Sequence, residues 1–328
     1  MSTPSAAERK PGLSDSVRAL RHRNFALFWW GALVSNTGTW VQNVTVPFVI
    51  FQITGSPAWV GVAGFAQLFP AWLMGPAGGT IADRFPRRLV LLVSQIGMAA
   101  VAFALWAIWL AGVRSPWVIV GTVALSGLIA GLNIGAWQAF VSELVPREDL
   151  LNAVTLNSAQ FNAARAFGPA VGGAVLAALG PSWSFFINGV SFAAVIGALV
   201  LIDVPTRRDR TEERPRVFRE LAATLRYVRT MPGIVVCIAV VLALGALGSP
   251  VFTLIVVFAD EVFRVGETEF GFLSASLGIG AVLGTPLVAG RGSAVRRSRL
   301  LAVALVVYGA DAERRAQEPE LGLAHPEH

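Results

Sequence analysis

Residues 79 to 89 read Gly79-Thr-Ile-Ala-Asp83-Arg84-Phe-Pro86-Arg87-Arg88-Leu89, a short charged break between two long apolar runs. The runs on either side, Pro57 to Ala82 and Leu89 to Ala111, each supply the roughly 20 residues that a helix needs to cross the hydrocarbon of a bilayer. A break this short leaves room only for a turn between two antiparallel membrane helices. Working outward, further runs of that kind stand at Asn24 to Ile53, Pro116 to Val141, Val154 to Gly180, Ser182 to Ile202, Ile234 to Ala259 and Phe270 to Gly290. The expected fold is therefore an all-α integral membrane protein with about eight full spans. A ninth run opens at Leu300 and stops at Asp311 after about half the length required.

Composition agrees and excludes the soluble classes. Of the 328 residues, 55% are hydrophobic and 14% charged, with a mean hydropathy of +0.63; a soluble domain carries about 25% charged residues. The net charge of +6 does not point to nucleic acid as a partner, because the 26 basic residues fall in short clusters between apolar runs, a pattern of membrane topology. Cys237 is the only cysteine, so neither an internal disulfide nor a thiolate metal cluster is expected. His22, His325 and His328 lie outside the apolar runs and show no ligand spacing, and no cofactor is expected. The lipid bilayer is the first partner. The basic N-terminal stretch has no small-residue cleavage site and reads as an uncleaved tail.

Orientation follows from the excess of basic residues on cytoplasmic loops. With the N-terminus inside, 21 Lys and Arg fall on the inner segments and only Arg114 and Arg264 on the outer loops of the full spans. Trp59, Trp117 and Trp183 then stand at outer span ends, where an interfacial aromatic belt belongs. The expected organisation is a cytoplasmic tail (1–23), a six-span bundle (24–202), a basic cytoplasmic loop (203–233), a partial second bundle (234–310) and a polar tail outside the fold (311–328). In the long loop, Phe218, Leu221, Leu225 and Val228 recur at helical spacing among charged residues. That reads as an amphipathic helix on the inner leaflet, beside the plainer reading of a solvated linker. Arg87-Arg88 and the Leu91-Leu92 pair after span two are echoed by Arg296-Arg297 and Leu300-Leu301 after span eight, and Gly79-Thr80 by Gly284-Thr285, at corresponding places of two half-repeats.

The break quoted at the outset resembles the signature of the major facilitator superfamily between spans two and three, Gly-x-x-x-Asp-Arg-x-Gly-Arg-Arg. Gly79, Asp83, Arg84, Arg87 and Arg88 match it, whereas Pro86 stands where that glycine is usual. The resemblance implies a cytoplasmic gate in which these charges bond across a seam between helices; positive-inside anchoring is the plainer alternative. Span five holds Ala164-Arg165-Ala-Phe-Gly168-Pro169-Ala-Val-Gly172-Gly173, similar to the fifth-span motif of antiporters and exporters in the same superfamily, with Ala164 in place of its first glycine. Gly168, Pro169, Gly172 and Gly173 suit close helix approach and bending. The triplet Gly127, Gly131 and Gly135 in span four reads as helix packing.

Arg165 is the only charged residue deep in the first six spans, and such a charge is a functional hypothesis by default. Ser158 and Asn162 share its helix face, span one offers Asn36, Thr39, Trp40 and Asn43, and span four offers Asn133 and Trp137. These residues are the expected lining of a central cavity for an amphipathic organic solute, beside the alternative that amides and carbonyls of neighbouring helices hold Arg165. No Asp or Glu lies within any span, so an intramembrane carboxylate that carries protons is not visible. The glycines at Gly278, Gly280 and Gly284 have the wrong spacing for a dinucleotide fingerprint, and the sequon at Asn43 lies inside a span.

The stretches from Gly38 to Asn43 and from Val145 to Gly173, with the Asp83 motif, look like bacterial exporters akin to the enterobactin and macrolide efflux carriers. That resemblance implies twelve spans in two six-helix bundles, alternating access, protons as the coupling ion, an inner-membrane location and no enzymatic activity. The expected function is export of amphipathic small molecules of drug or siderophore class. Against a twelve-span fold this chain reads as a six-helix bundle plus an incomplete second bundle, as from a truncation or frameshift in the ninth span. The alternatives are a transport-incompetent membrane fragment or interaction protein, and a lysophospholipid flippase.

Overall fold

A computed structural model describes residues 17–203, 226–236, 239–240, and the positions Val256, Val257, Ala259, Phe270 and Leu273. All belong to one compact unit that ends at Gly278. The second half-repeat, the ninth run, most of the loop helix expected around Phe218, and the tail after Asp311 lie outside the described residues.

Helices α1 (Arg23–Thr54), α2 (Pro57–Arg84), α3 (Arg87–Leu110) and α4 (Pro116–Val141) follow one another through short turns. A last stretch, Leu150–Leu201, is divided at Gly180, whose φ of 79° and ψ of 177° are not helical, into α5 (150–179) and α6 (181–201). Short 3-10 turns, Arg18–Arg21 and Arg147–Asp149, precede α1 and α5. Among the described residues there is no strand. Four stretches, Pro57–Arg84, Arg87–Leu110, Pro116–Val141 and Arg147–Leu201, are long and apolar enough to cross a membrane. The 32-residue α1 is long enough as well, but its amides and hydroxyls lower its hydropathy, and several of them are spent on bonds to other helices.

The two ends of the bundle are turned by different chemistry. At one end the connections after α1, α3 and α5 use Gly55, Gly112 and Gly180, all with positive φ, which costs glycine nothing. Trp59 and Trp117 meet edge to face at this end, with ring centroids 4.6 Å apart. At the other end stand Pro86 and Pro146, N-caps of α3 and of the turn before α5. Pro86 has φ −53°, within what its ring imposes, so the turn after α2 needs no left-handed residue and the departure from the usual glycine is accommodated.

Packing rests on small residues that let backbones touch. Without a hydrophobic driving force between helices in lipid, close van der Waals contact does the work, and a side chain at the contact would hold the helices apart. The Gly127, Gly131 and Gly135 triplet lies along α2. A Cβ on Gly127 would meet the Gln67 carbonyl, one on Gly131 the Ala71 carbonyl, and one on Gly135 would stand 2.9 Å from the Gly79 Cα. Gly31 and Gly38 of α1 do the same against α6, at Ala194 and Ser191. Helix α5 reaches α1 through Gly168 and Gly172, and α6 reaches α3 through Gly189 and Phe103.

Buried side chains form two apolar clusters. One, near the tryptophan end, gathers Ile50, Phe51, Val60, Leu105, Ile119, Leu176 and Phe185, and takes in Val256, Ala259 and Phe270. The other, near the basic end, gathers Phe25, Phe28, Leu91, Phe140, Ala153 and Leu199. Between them lies a layer of buried polar side chains in which Asn188 of α6 donates to Gln42 of α1 at 2.8 Å. A double-mutant cycle of Gln42→Leu and Asn188→Leu, read by thermal unfolding, is expected to give a coupling of about 1 kcal/mol, because either single change leaves a buried amide unpaired.

Candidate functional site

The Asp83 motif sits at the basic end, on the last turn of α2 and the first of α3. Its arginines are engaged inside the bundle. Arg87 pairs with Glu143 at the end of α4 at 2.7 Å. Arg88 donates to the Leu199 carbonyl at 2.6 Å and to that of Val200 at 2.9 Å, the last free carbonyls of α6. Positive charge is favoured at such helix C-termini, so the two arginines tie three helix ends together. Asp83 and Arg84 are exposed and carry no ion pair among the described residues. Gly79 is the close-contact point of α2 on Gly135.

A second polar cluster at this end joins the N-terminal turn to the turn before α5. Arg18 pairs with Asp149, and His22 Nε2 lies 2.7 Å from the other Asp149 oxygen. Arg18 also donates to the Glu148 carbonyl at 3.0 Å, and the Ala19 amide donates to Asn152 at 2.8 Å. The hydrogen bond from His22, with help from Arg18, holds the Asp149 carboxyl below its ordinary value although burial works the other way. The sequence reading passed over this cluster. The signal available was an acidic pair, Glu148 and Asp149, on a loop facing a run of basic residues.

In span five, Gly168 lies against Trp40 of α1, and Gly172 against Val41, where an added Cβ would stand 3.1 Å from its Cα. Pro169 and Gly173, next to them in the chain, are buried as well. Trp40 and Gly168 are two predicted site residues that meet across helices. The other amides and tryptophans reach partners that sequence reasoning left out. Asn36 donates to Gln160 of α5 at 3.3 Å, and Asn43 accepts from Gln67 of α2 at 2.7 Å. Asn133 accepts from Gln95 of α3 at 3.5 Å, and Trp137 donates to Asn157 of α5 at 3.1 Å. Thr39 bonds back to the Ser35 carbonyl of its own helix. Gln67 and Gln95 are lone amides in apolar runs, and Asn157 and Gln160 sit beside Ser158 and Asn162 on another side of α5; spacing along one helix does not reveal which neighbour any of them meets.

The remaining three predicted residues differ from these. Ser158 and Asn162 are exposed on α5 and bond only along it, to the Val154 and Ser158 carbonyls. Arg165 is half-buried and has no hydrogen-bond or ion-pair partner among the described residues. With Thr155 they make a polar strip on an exposed helix face. The strip is flanked on α5 by exposed Leu151, Val154, Phe161 and Phe167, whereas the exposed face of α2, with Phe65, Leu68, Phe69, Trp72 and Leu73, is apolar and carries no charge along that stretch, and Trp72 is 71% exposed. An apolar face suits lipid; a polar one carrying an arginine does not.

A family model described as a transmembrane secretion effector, of the major facilitator superfamily, matches residues 14–322. The chain belongs to that family. It is a family of transporters, and a multi-pass, all-helical membrane fold is what the chain shares with it. An uncharacterized transporter of the superfamily from Bacillus subtilis, YfiS, is 26% identical over 205 residues, covering 61% of this chain and 48% of YfiS. The enterobactin exporter EntS of Shigella boydii serotype 18 is 27% identical over 275 residues, covering 80% of this chain and 62% of EntS. This chain thus spans about half to three fifths of the length of these relatives. A crystal structure of a bacterial homolog of the human lysosomal transporter Spinster, inward-facing and unoccupied, superposes with a TM-score of 0.53 at 18% identity, over 83% of this chain and 64% of that one. It shows a shared fold.

Proposed function

We propose that this protein exports amphipathic organic solutes, of drug or siderophore class, across the bacterial inner membrane by alternating access, with the N-terminus in the cytoplasm and protons as the coupling ion. The observation that carries the reading is the polar strip of α5 from Thr155 to Arg165, exposed on a bundle whose α2 presents an apolar face. In a chain of transporter lineage, a strip of polar groups that includes an arginine, set among apolar side chains, belongs on the solute pathway. The relatives named as enterobactin exporters support an organic solute moving outward. On this reading Asp83 and Arg84, without ion pairs among the described residues, are the gate's contribution to the seam between bundles, while Arg87 and Arg88 brace the first bundle. The close approach of Gly168 and Gly172 to α1 lets α5 move against it without side chains interlocking.

Cells producing the chain are expected to accumulate less of an amphipathic fluorescent solute than cells without it, and a protonophore removes the difference. A panel that includes probes of either charge and a fluorescent lysophospholipid separates export of solutes from lipid flipping. Equal accumulation across the panel, with the protein shown to be in the membrane, rejects transport and favours a role in interaction.

A further inference from the structure

We infer that Arg165 is a fixed anion-binding group on the exposed face of α5, so that the solute is an amphipathic organic anion and organic cations are rejected. The inference rests on the transporter reading and names its substrate class.

Depth comes first. Arg165 stands at the middle of α5 (150–179), about 22 Å of helix from its start, beyond the reach of a headgroup region. Arginine does not lose its proton in proteins, so the charge persists at that depth whatever the pH, and the residue acts as a fixed cation and not as a proton carrier. No compensating charge faces it among the described residues. Among the described residues it has no ion pair, and in the whole sequence no Asp or Glu lies in any of the apolar runs. A charge placed there without a partner is costly, and such charges persist where they meet a partner that comes and goes.

The surroundings fit an anion with an apolar body. Asn162 and Ser158 lie one and two turns before Arg165 on the same face; Ser158 donates its hydroxyl hydrogen into the helix and Asn162 one of its two amide hydrogens. Their oxygens are left as acceptors beside the guanidinium donors. Such a strip receives a carboxylate or sulfonate at Arg165 and a hydroxyl or amide of the same solute a turn away. Phe161, four residues before Arg165 and 49% exposed, offers a ring for the apolar part. A cation would meet an uncompensated positive charge in a medium that screens it poorly, which is selection by repulsion as much as by attraction.

The test uses the whole purified 328-residue chain in detergent and a matched pair of probes, naphthalene-2-sulfonate and 2-naphthylmethylammonium, titrated by calorimetry. The wild type is expected to bind the sulfonate roughly tenfold or more tighter than the ammonium, the worth of one charge-assisted hydrogen bond. Arg165→Gln should erase that preference by weakening the sulfonate alone, and Arg165→Lys should keep most of it. Should Arg165→Gln fail to give a monodisperse helical protein, Asn162→Asp serves instead, since a carboxylate one turn away neutralises the site and must reverse or abolish the preference. A wild type without preference, or a preference untouched by Arg165→Gln or Asn162→Asp, overturns the inference. Flux in proteoliposomes separates the two readings: charge-selective binding without flux rejects transport alone, and flux without charge selection rejects the anion site alone.

Discussion

Gly131→Leu is expected to abolish the folded bundle, giving aggregated protein or a thermal midpoint too low to measure in mild detergent. The Cβ of any residue at 131 would collide with the Ala71 carbonyl and come within 2.9 Å of the Met74 Cβ. Both belong to the adjacent helix, and a carbonyl oxygen held in a helix cannot step aside as a flexible side chain can. Relief requires α2 and α4 to separate along the line that also holds Gly127 and Gly135, so one substitution loosens three contacts. Overpacking of this kind costs about 3 kcal/mol, and more where backbone is the obstacle. Gly121→Leu is the control. It lies on the same helix with nothing within 4 Å of its would-be Cβ, and leucine there should leave the midpoint unchanged or raise it. Equal midpoints for the two variants would show that α2 and α4 do not meet through the glycine line.

Asp149→Ala should release the N-terminal turn, and limited proteolysis near Arg18 and Arg21 is expected to speed up by roughly tenfold as the turn opens. Asp149 holds Arg18 with one oxygen and His22 with the other, so its loss removes both side-chain ties, while the Arg18 bond to the Glu148 carbonyl and the Ala19 bond to Asn152 remain. The pH dependence has a definite sign. Because the Asp149 carboxyl is held below its ordinary value of 3.8, its contribution is fully present above that value and is lost as the pH falls through the lowered one. Cleavage of the wild type by an acid-active protease should therefore accelerate only below about pH 3.8, and that acceleration should be absent in Asp149→Ala. An onset between pH 5 and 7 would assign the clamp to another group.

The helices and their ends were legible because each is set by local chemistry. Apolar run length marks a membrane helix, and the breaks expected at Gly180 and at the Asp83 motif are where the helices turn. Packing at Gly127, Gly131 and Gly135 was also readable, since small residues four apart lie on one side of a helix whatever they face. The partners of Asn36, Asn43, Asn133 and Trp137 were not. Each is an amide on another helix, 20 to 124 residues away in the chain, and no periodicity within one helix encodes which face of a neighbour it meets.

The same division runs through the charged motif. Composition and run lengths were enough to establish a polytopic membrane protein, and the Gly79 to Leu89 break with the span-five motif was enough to place it in its superfamily, because solvent and turn geometry act residue by residue. How the four charges of that break divide was settled by where the helix ends lie in space. Arg87 and Arg88 are drawn to Glu143 and to the open carbonyls of α6, which are close only because α3 packs on both helices, while Asp83 and Arg84 are left exposed. Four neighbouring charges look alike in the chain. Their surroundings, and with them what each charge can do, belong to the packing.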